Sequence, residues 1–551
     1  MVKLSQIIVD ILQKRGITDP KAVDEFVSPK PKLTYDPFLL PHMKEGVDFV
    51  ISAIENNERI CIYGDYDVDG TTATALLYNF LAQLTDNVTY YIPSRFEDGY
   101  GLNNDSLSQL KSDGVDVVIT VDCGAVSHNE VEHAKSIGLK IMITDHHNME
   151  EDTVPDCIVI NPKHFDSEYP FKGLCGCAVA FKLVQAIVRT QDLDRSNLVR
   201  PLDLVAIATV ADVVPLVDEN RTMVKYGLRE VNRGVRRSLK ILTDRLDIVP
   251  GTIDSYKIGF VIGPHLNAAG RMKDAGDVVR MLTSDDNDEI HRIVQLLIEY
   301  NRERRAVQEK CFEESVDLVE EKYMDSPFLM IMPKSIHEGI AGIVAGNIKE
   351  KYNKPAIVLS KSGDDDPPML KGSARSIDNI DLIKMLLSHE ELFSKLGGHT
   401  MAAGFSMPEA NEEALRAALK KDMDILIEKD PHLLSKKVGY DIAADTDDID
   451  MTLAKELKML APFGVDNPRP VIKLDDISVN GLRYMGSENQ HVKFNCGSFD
   501  CILFSNAQEY KDLLESGNNI TIYGNPDINT WNGNESVQFL IKTIVTNKNN
   551  N

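Results

Sequence analysis

Three acidic clusters ride on the ends of apolar runs: RICIYGDYDVDG (59–70), VDVVITVDCG (115–124) and LKIMITDHHN (139–148). They supply Asp65, Asp67, Asp69, Asp122, Asp145, His146 and His147, carboxylates with a minority of imidazole. Hard oxygen donors in that ratio suit Mn²⁺ or Mg²⁺ better than a structural Zn²⁺. Asp65, Asp67 and Asp69 alternate with Tyr66 and Val68, so an extended segment turns all three carboxylates to one side. Negative charges crowded in this way are unfavourable unless cations sit between them. A further apolar run, LVAIATVADVVPLVDENR (204–221), carries Asp212, which the pattern leaves open between metal ligand and helix-capping residue. Two cations bridged by one carboxylate activate water and neutralise phosphoryl oxygens. The chain has no GxxxxGK[ST], HExxH or GxSxG segment. The residues alone therefore point to a two-metal phosphoesterase.

Such a cluster needs a scaffold that brings distant segments to one edge. Apolar runs bounded by Gly and polar residues read as buried strands, and TTATALLYNFLAQL and NEVEHAKSIG between them read as helices. Parallel strands with crossover helices place ligands outside the carboxyl ends of the strands, where all the clusters would meet. Gly70 is expected to allow a sharp turn into a helix beginning near Thr71.

The chain has 551 residues, 43% hydrophobic and 26% charged, the balance of a soluble globular protein with about three domains. MVKLSQIIVDILQKRG reads as an amphipathic helix and not a secretion signal, and no apolar run is long enough to span a membrane. The eight cysteines are scattered, which suggests free thiols and a cytoplasmic protein. Cys175 and Cys177 open an apolar helix-like stretch and read as buried small residues. A net charge of −25 argues against nucleic acid at first sight, yet a cation-binding carboxylate cluster accounts for part of it. The basic stretches KYGLREVNRGVRRSLK (225–240) and NRERRAVQEK (301–310) read as solvated helix faces or as phosphate contacts.

The expected order is an N-terminal helical segment packed on the catalytic domain (1–58), an α/β catalytic domain with a parallel sheet (59–284) and a long connecting helix (285–323). A second α/β domain (324–435) and a C-terminal β-barrel of the OB type (436–551) follow. The connecting helix has no Gly or Pro and would span about 60 Å, too long for one domain. GDDDPP (363–368) reads as a surface turn, and the tail TNKNNN as disordered.

Asp145-His146-His147 resembles the signature triplet of the DHH phosphoesterase superfamily. GDYDVDG (64–70) and VDCG (121–124) resemble its first two motifs and TVADVVPL (209–216) its fourth. SRFEDGYGLN (94–103) and GPHLNAAGRM (263–272) are similar to its bacterial exonucleases of single-stranded DNA. So is the N-terminal segment ILQKRGITDPKAVDEFVSP (11–29). HEGIAGIVAGNIKEKYNKPAIVLS (337–360), KGSARSI (371–377) and LGGHTMAAGF (396–405) resemble the DHH-associated domain, and PFGVDNPRP (462–470) the approach to the OB-fold.

The resemblance implies two divalent ions, Mn²⁺ or Mg²⁺, held by Asp67, Asp69, Asp122, His146 and Asp212, with Asp122 bridging. Asp65 and His147 are near ligands or orienting groups, Asp145 holds an imidazole, and His399 stabilises the pentavalent phosphorane. It further implies 5′-to-3′ polarity, with Arg95, Ser373 and Arg375 gripping a 5′-phosphate and Tyr100, Asn267 and Arg271 contacting the strand. His265 departs from the arginine expected in its segment. Tyr484, Phe494 and Trp531 are stackers or core residues of the barrel. The partners implied are single-stranded DNA, a single-strand DNA-binding protein and a RecQ-type helicase, with no membrane and a monomeric chain. A phosphodiesterase of short oligonucleotides or cyclic dinucleotides is the second reading. The third is an inactive DNA-binding scaffold, against which the chain retains every motif acid.

Overall fold

Five apolar segments pair side by side into a parallel sheet: β1 (Ile60–Tyr63), β2 (Val88–Tyr91), β3 (Val117–Val121), β4 (Lys140–Thr144) and β5 (Ile158–Ile160). Their order is β2-β1-β3-β4-β5, so the winding reverses between β1 and β3. Every residue of β1 and β3 is buried, which is why they read as unbroken apolar runs. The computed structural model describes residues 3–95, 101–362, 367–435, 438–531 and 533–546. Tyr100, residues 363–366 of the acidic loop and residues 547–551 of the tail lie outside them. Among the described residues no helix is long and apolar enough to cross a membrane.

The chain divides into two units, one of Met1–Pro93, Glu97–Gly263 and Val438–Asn551, the other of Ser94–Phe96 and Pro264–Lys437. Helices of the first unit are α1 (Gln6–Lys14), α2 (Pro20–Val27), α3 (Met43–Glu55), α4 (Val68–Leu81), α5 (Asn104–Ser112) and α6 (His128–Ser136). They continue as α7 (Gly176–Thr190), α8 (Leu202–Ala211), α9 (Asp218–Arg233) and α10 (Arg237–Arg245). On one sheet face Leu107 and Leu110 of α5 and Val131 and Ala134 of α6 share a core with Cys61, Tyr63, Val118 and Ile143. On the other face α3 comes so close that a Cβ on Gly46 would stand 2.6 Å from Ile160.

The C-terminal part of this unit is a seven-stranded mixed sheet in the order β11-β12-β16-β17-β15-β14-β13. Its strands are β11 (Ile442–Ala443), β12 (Ile472–Ile477), β13 (Asn480–Met485), β14 (His491–Cys496), β15 (Phe499–Leu503), β16 (Ile520–Trp531) and β17 (Asn534–Thr546). Ile8, Ile11, Leu12 and Val27 are buried in the same core as Leu474, Phe494, Cys501, Ile522 and Phe539. The N-terminal segment is therefore not packed on the catalytic domain as a whole. α1 and α2 contribute to the core of the OB-type sheet, whereas Phe26, Tyr35 and Asp36 meet α7 and α9, and α3 lies against β5 of the catalytic sheet. Periodicity marks an apolar face but not the surface that receives it.

In the basic stretch 225–240, Arg233, Arg237 and Lys240 are exposed on a solvated face, while the other three cations are engaged within the protein. Lys225 donates to the Ser28 carbonyl at 2.8 Å, Arg229 to that of Pro29, and Arg236 forms a buried pair with Asp203 at 2.7 Å. Phe494 is buried in the barrel core, whereas Trp531, at the end of β16, is 73% exposed.

The second unit carries a five-stranded sheet ordered β6-β7-β8-β10-β9, built from β6 (Leu329–Ile331), β7 (Ala356–Ser362), β8 (Met369–Arg375), β9 (Lys395–His399) and β10 (Ala402–Pro408). A 32-residue helix, Asn287–Leu318, continues into a π turn at Val319–Tyr323. Arg304 in it is occupied by Asn301 at 3.0 Å and Gln308 at 2.9 Å.

Candidate metal centre

The winding of the sheet reverses between β1 and β3, and open α/β sheets bind ligands at that point. Asp65 follows β1, Asp122 follows β3 and the Asp145-His146-His147 triplet follows β4. Asp67 caps α4, accepting the Gly70 N–H at 3.0 Å. The helix therefore starts at Val68, not near Thr71, and Asp69 lies in its first turn instead of on an extended strand. Gly70 acts through its missing side chain, since a Cβ there would stand 2.5 Å from the Asp65 carbonyl oxygen. The run 204–211 is helical, buried almost all round, and Asp212 is its C-terminal cap.

One donor atom from each of Asp65, Asp67 and Asp122 lies within 4.8 Å of the others. The same holds for Asp69, His146 and Asp212, and for Asp122, Asp145, His146 and His147. His146 Nε2 is 3.2 Å from Asp122 Oδ1, 3.6 Å from Asp212 Oδ2 and 3.7 Å from Asp69 Oδ2. Both His146 Nε2 and Asp122 Oδ1 are buried without a hydrogen bond of acceptable geometry. A buried nitrogen lone pair aimed at three carboxylates fits a divalent cation, which would replace the missing bonds.

Electrostatics agree. Burial, then the charges of Asp69, Asp67, Asp212 and Asp65, push the Asp122 carboxyl well above the usual range. Burial and Asp69 raise Asp212 to about 9, and burial and Asp67 raise Asp69 to about 6. Burial and the neighbouring His147 charge lower His146 to about 3, so its imidazole is neutral and free to ligate. Asp145 behaves differently. Burial works against its ionisation, but His147 Nδ1 at 2.7 Å and the Ala125 N–H at 2.8 Å hold it at about 2. Burial likewise opposes the His147 cation, yet Asp145 raises it to about 9. The Asp145 carboxylate thus orients His147.

Three contributors escaped the sequence reading. The N–H groups of Gly176 and Cys177, at the start of α7, grip Asp69 at 2.6 and 2.7 Å. Asn161 donates to the His147 carbonyl at 2.9 Å. Lys163, part-buried, acts electrostatically on Asp212 and Asp145. No side chain marks this helix start, because Cys175 at the N-cap makes no capping hydrogen bond. Cys175 and Cys177 are buried free thiols.

In the second unit, Ser373 and Arg375 share one face of β8. A Cβ on Gly342, at the start of the helix Ala341–Tyr352, would meet Arg375 Nη2 at 2.8 Å and Ser373 Oγ at 2.9 Å. Arg95 Nε donates to the Gly270 carbonyl at 3.1 Å, and Arg271 to that of Gly339 at 2.7 Å. Asn267 and His265 lie on the helix Gly263–Met272 with Arg271, and His399 is the exposed last residue of β9.

This parallel sheet, with acids and imidazoles gathered where its winding reverses, defines a DHH-type phosphoesterase. Residues 59–209 match the DHH family, N-terminal domain, 325–424 the DHHA1 domain and 440–543 the RecJ OB domain. The chain belongs to the RecJ family. It is 33% identical to the single-stranded-DNA-specific exonuclease RecJ of Bacillus subtilis, over 98% of this chain and 68% of that protein. It is 32% identical to the Escherichia coli exonuclease of the same name, over 92% and 90% of the two chains. Among solved structures, RecJ of Thermus thermophilus in complex with Mn²⁺ superposes with a TM-score of 0.83 at 25% identity, covering 98% of this chain and 76% of that one. A manganese-bound exonuclease RecJ gives 0.60 at 31%, covering 70% and 95%.

Proposed function

We propose that the chain is a metal-dependent exonuclease that degrades single-stranded DNA from the 5′ end, one phosphodiester at a time. The observation that carries this reading is the buried, unpartnered His146 Nε2 among Asp69, Asp122 and Asp212 in a chain of the RecJ family. Asp65, Asp67, Asp69, Asp122, His146 and Asp212 would hold two divalent ions, Mn²⁺ or Mg²⁺, with Asp122 between them. Such ions supply a nucleophilic water and neutralise charge on the scissile phosphate.

The chain's own groups do the rest. Neutral His146 offers a lone pair, and Asp145 fixes the His147 ring, whose cation would serve as a charge partner for the substrate phosphate. Ser373 and Arg375, beside the bare N-terminus at Gly342, form a cradle for the terminal 5′-phosphate. His399 would steady the phosphorane, and Arg95, Tyr100, Asn267 and Arg271 would guide the strand. The expected setting is the cytoplasm, in DNA repair and recombination, where a monomeric chain works with a single-strand DNA-binding protein and a RecQ-type helicase.

Oligonucleotides labelled at either end, incubated with the protein and Mn²⁺, test the reading. Labelled mononucleotide should appear first from the 5′ label, and earlier release from the 3′ label would overturn it.

A further inference from the structure

The first unit holds another group of metal-donor side chains, away from the carboxylate cluster: His42, His164 and Asp166. One donor atom from each lies within 4.8 Å of the others. His42 opens α3 in a left-handed backbone conformation (φ 55°) with its ring exposed. His164, in the loop after β5, is 5% exposed. The two rings meet edge to face with centroids 5.2 Å apart, and Asp166 Oδ1 is in hydrogen-bond contact with His164 Nδ1. We propose that these three side chains form a second divalent-cation site, of the zinc class.

The donor set makes the distinction. Two imidazoles and one carboxylate are borderline-soft donors that favour Zn²⁺, whereas the cluster after β1, β3 and β4 is dominated by hard oxygens. Tetrahedral donors about 2.0–2.1 Å from zinc stand roughly 3.4 Å from one another, so modest rotation of exposed His42 and Asp166 closes the set. Water takes the fourth position.

The site also has a route to the catalytic edge. His164 N–H donates to the Asn161 carbonyl at 3.1 Å, and the Asn161 side chain donates to the His147 carbonyl at 2.9 Å. A cation that ties His164 to the start of α3 therefore pins the loop that supports His147.

Crystals soaked at stoichiometric zinc, with data collected at the zinc edge, should show an anomalous peak bonded to His42 and His164. In solution, equilibrium dialysis against zinc compares wild type with His42→Asn, which tolerates the left-handed backbone, and with Asp166→Asn. Zinc held at the catalytic cluster is common to all three proteins and cancels. One class of zinc should weaken at least about tenfold in both variants, while their melting in a chelator stays at the wild-type temperature. Unchanged zinc isotherms in both variants, or a peak that appears only at millimolar zinc (an adventitious ion only), would overturn the proposal.

Discussion

The Cys177 backbone N–H donates to Asp69 Oδ1 at 2.7 Å across 108 positions of sequence, and Gly176 N–H takes the other oxygen at 2.6 Å. Helix α7 thus begins on a carboxylate from the first turn of α4, and its partial positive charge offsets part of the crowding around Asp69. The approach leaves no room for a side chain. A Cβ on Gly176 would stand 2.5 Å from both Cβ and Oδ1 of Asp122. Gly176→Ala should therefore displace Asp122, lowering kcat by roughly 100-fold and weakening Mn²⁺ binding while circular dichroism stays native. Metal titration of the variant against wild type checks this.

Asp122 has a left-handed backbone (φ 64°), which Asn tolerates, so Asp122→Asn removes charge with little backbone cost. Cleavage should fall at least about 100-fold, with binding of a single strand near the wild-type level by fluorescence anisotropy. The metal-free variant should also melt higher than wild type, because a buried carboxylate repelled by Asp69, Asp67, Asp212 and Asp65 is gone.

Stability should respond to pH through the same crowding. Asp69 and Asp212 titrate near 6 and 9 in the folded chain, above an ordinary aspartate. Each favours the fold while protonated, and that contribution is lost as pH rises through the folded value. His147, raised to about 9, acts in the same direction, because its stabilising cation is lost as pH rises through that value. The metal-free protein should lose melting temperature from about pH 4, where an unfolded aspartate ionises, up to pH 9, and added Mn²⁺ should restore more at the upper end. Scanning calorimetry with and without Mn²⁺ measures both slopes, and Asp212→Asn should flatten the metal-free one.

Strand runs and acidic caps were readable because β1 and β3 are buried at every residue and the catalytic acids follow directly. The start of α4 was misplaced by three residues, since Asp67 as a cap and Asp67 as one of three alternating acids predict different backbones. The run at 204–211 hid its helix because it is apolar on every side and shows no period. The grip of α7 on Asp69 depends on a contact between distant segments, which local pattern does not encode. His146 was readable as a ligand by type, but the position of its buried Nε2 among three carboxylates needed coordinates.

Arg375 and Ser373 lie against Gly342 with burial lowering the arginine's pKa, so the cation gains from an anionic partner. Arg375→Ala should abolish the preference for 5′-phosphorylated over 5′-hydroxyl ends, raising KM by about tenfold for the former alone. Competition between the two oligonucleotides measures it.

Arg221, 4% exposed, donates to the carbonyls of Phe26, Met459, Leu460 and Pro462 and stacks on the Phe26 ring at 3.9 Å. It ties α9 to α2 and to the segment before β12. Arg221→Ala should cost about 3 kcal/mol and open Phe26 and the 459–462 segment to protease, as limited proteolysis would show.

The place of α1 in the OB-type core carries a consequence for synthesis. Ser5 N–H donates to Glu456 Oε2 at 3.0 Å across 451 positions, and Ile8, Ile11 and Leu12 fill a core whose other fully buried residues, Val27 apart, come from Ile449 onward. At ~5–20 residues per second, the ribosome needs roughly 20–90 s to make the intervening chain. Throughout that time the first helix has no native surface to bury its apolar face, so a nascent chain that already carries a folded catalytic sheet still presents an unmatched end to chaperones.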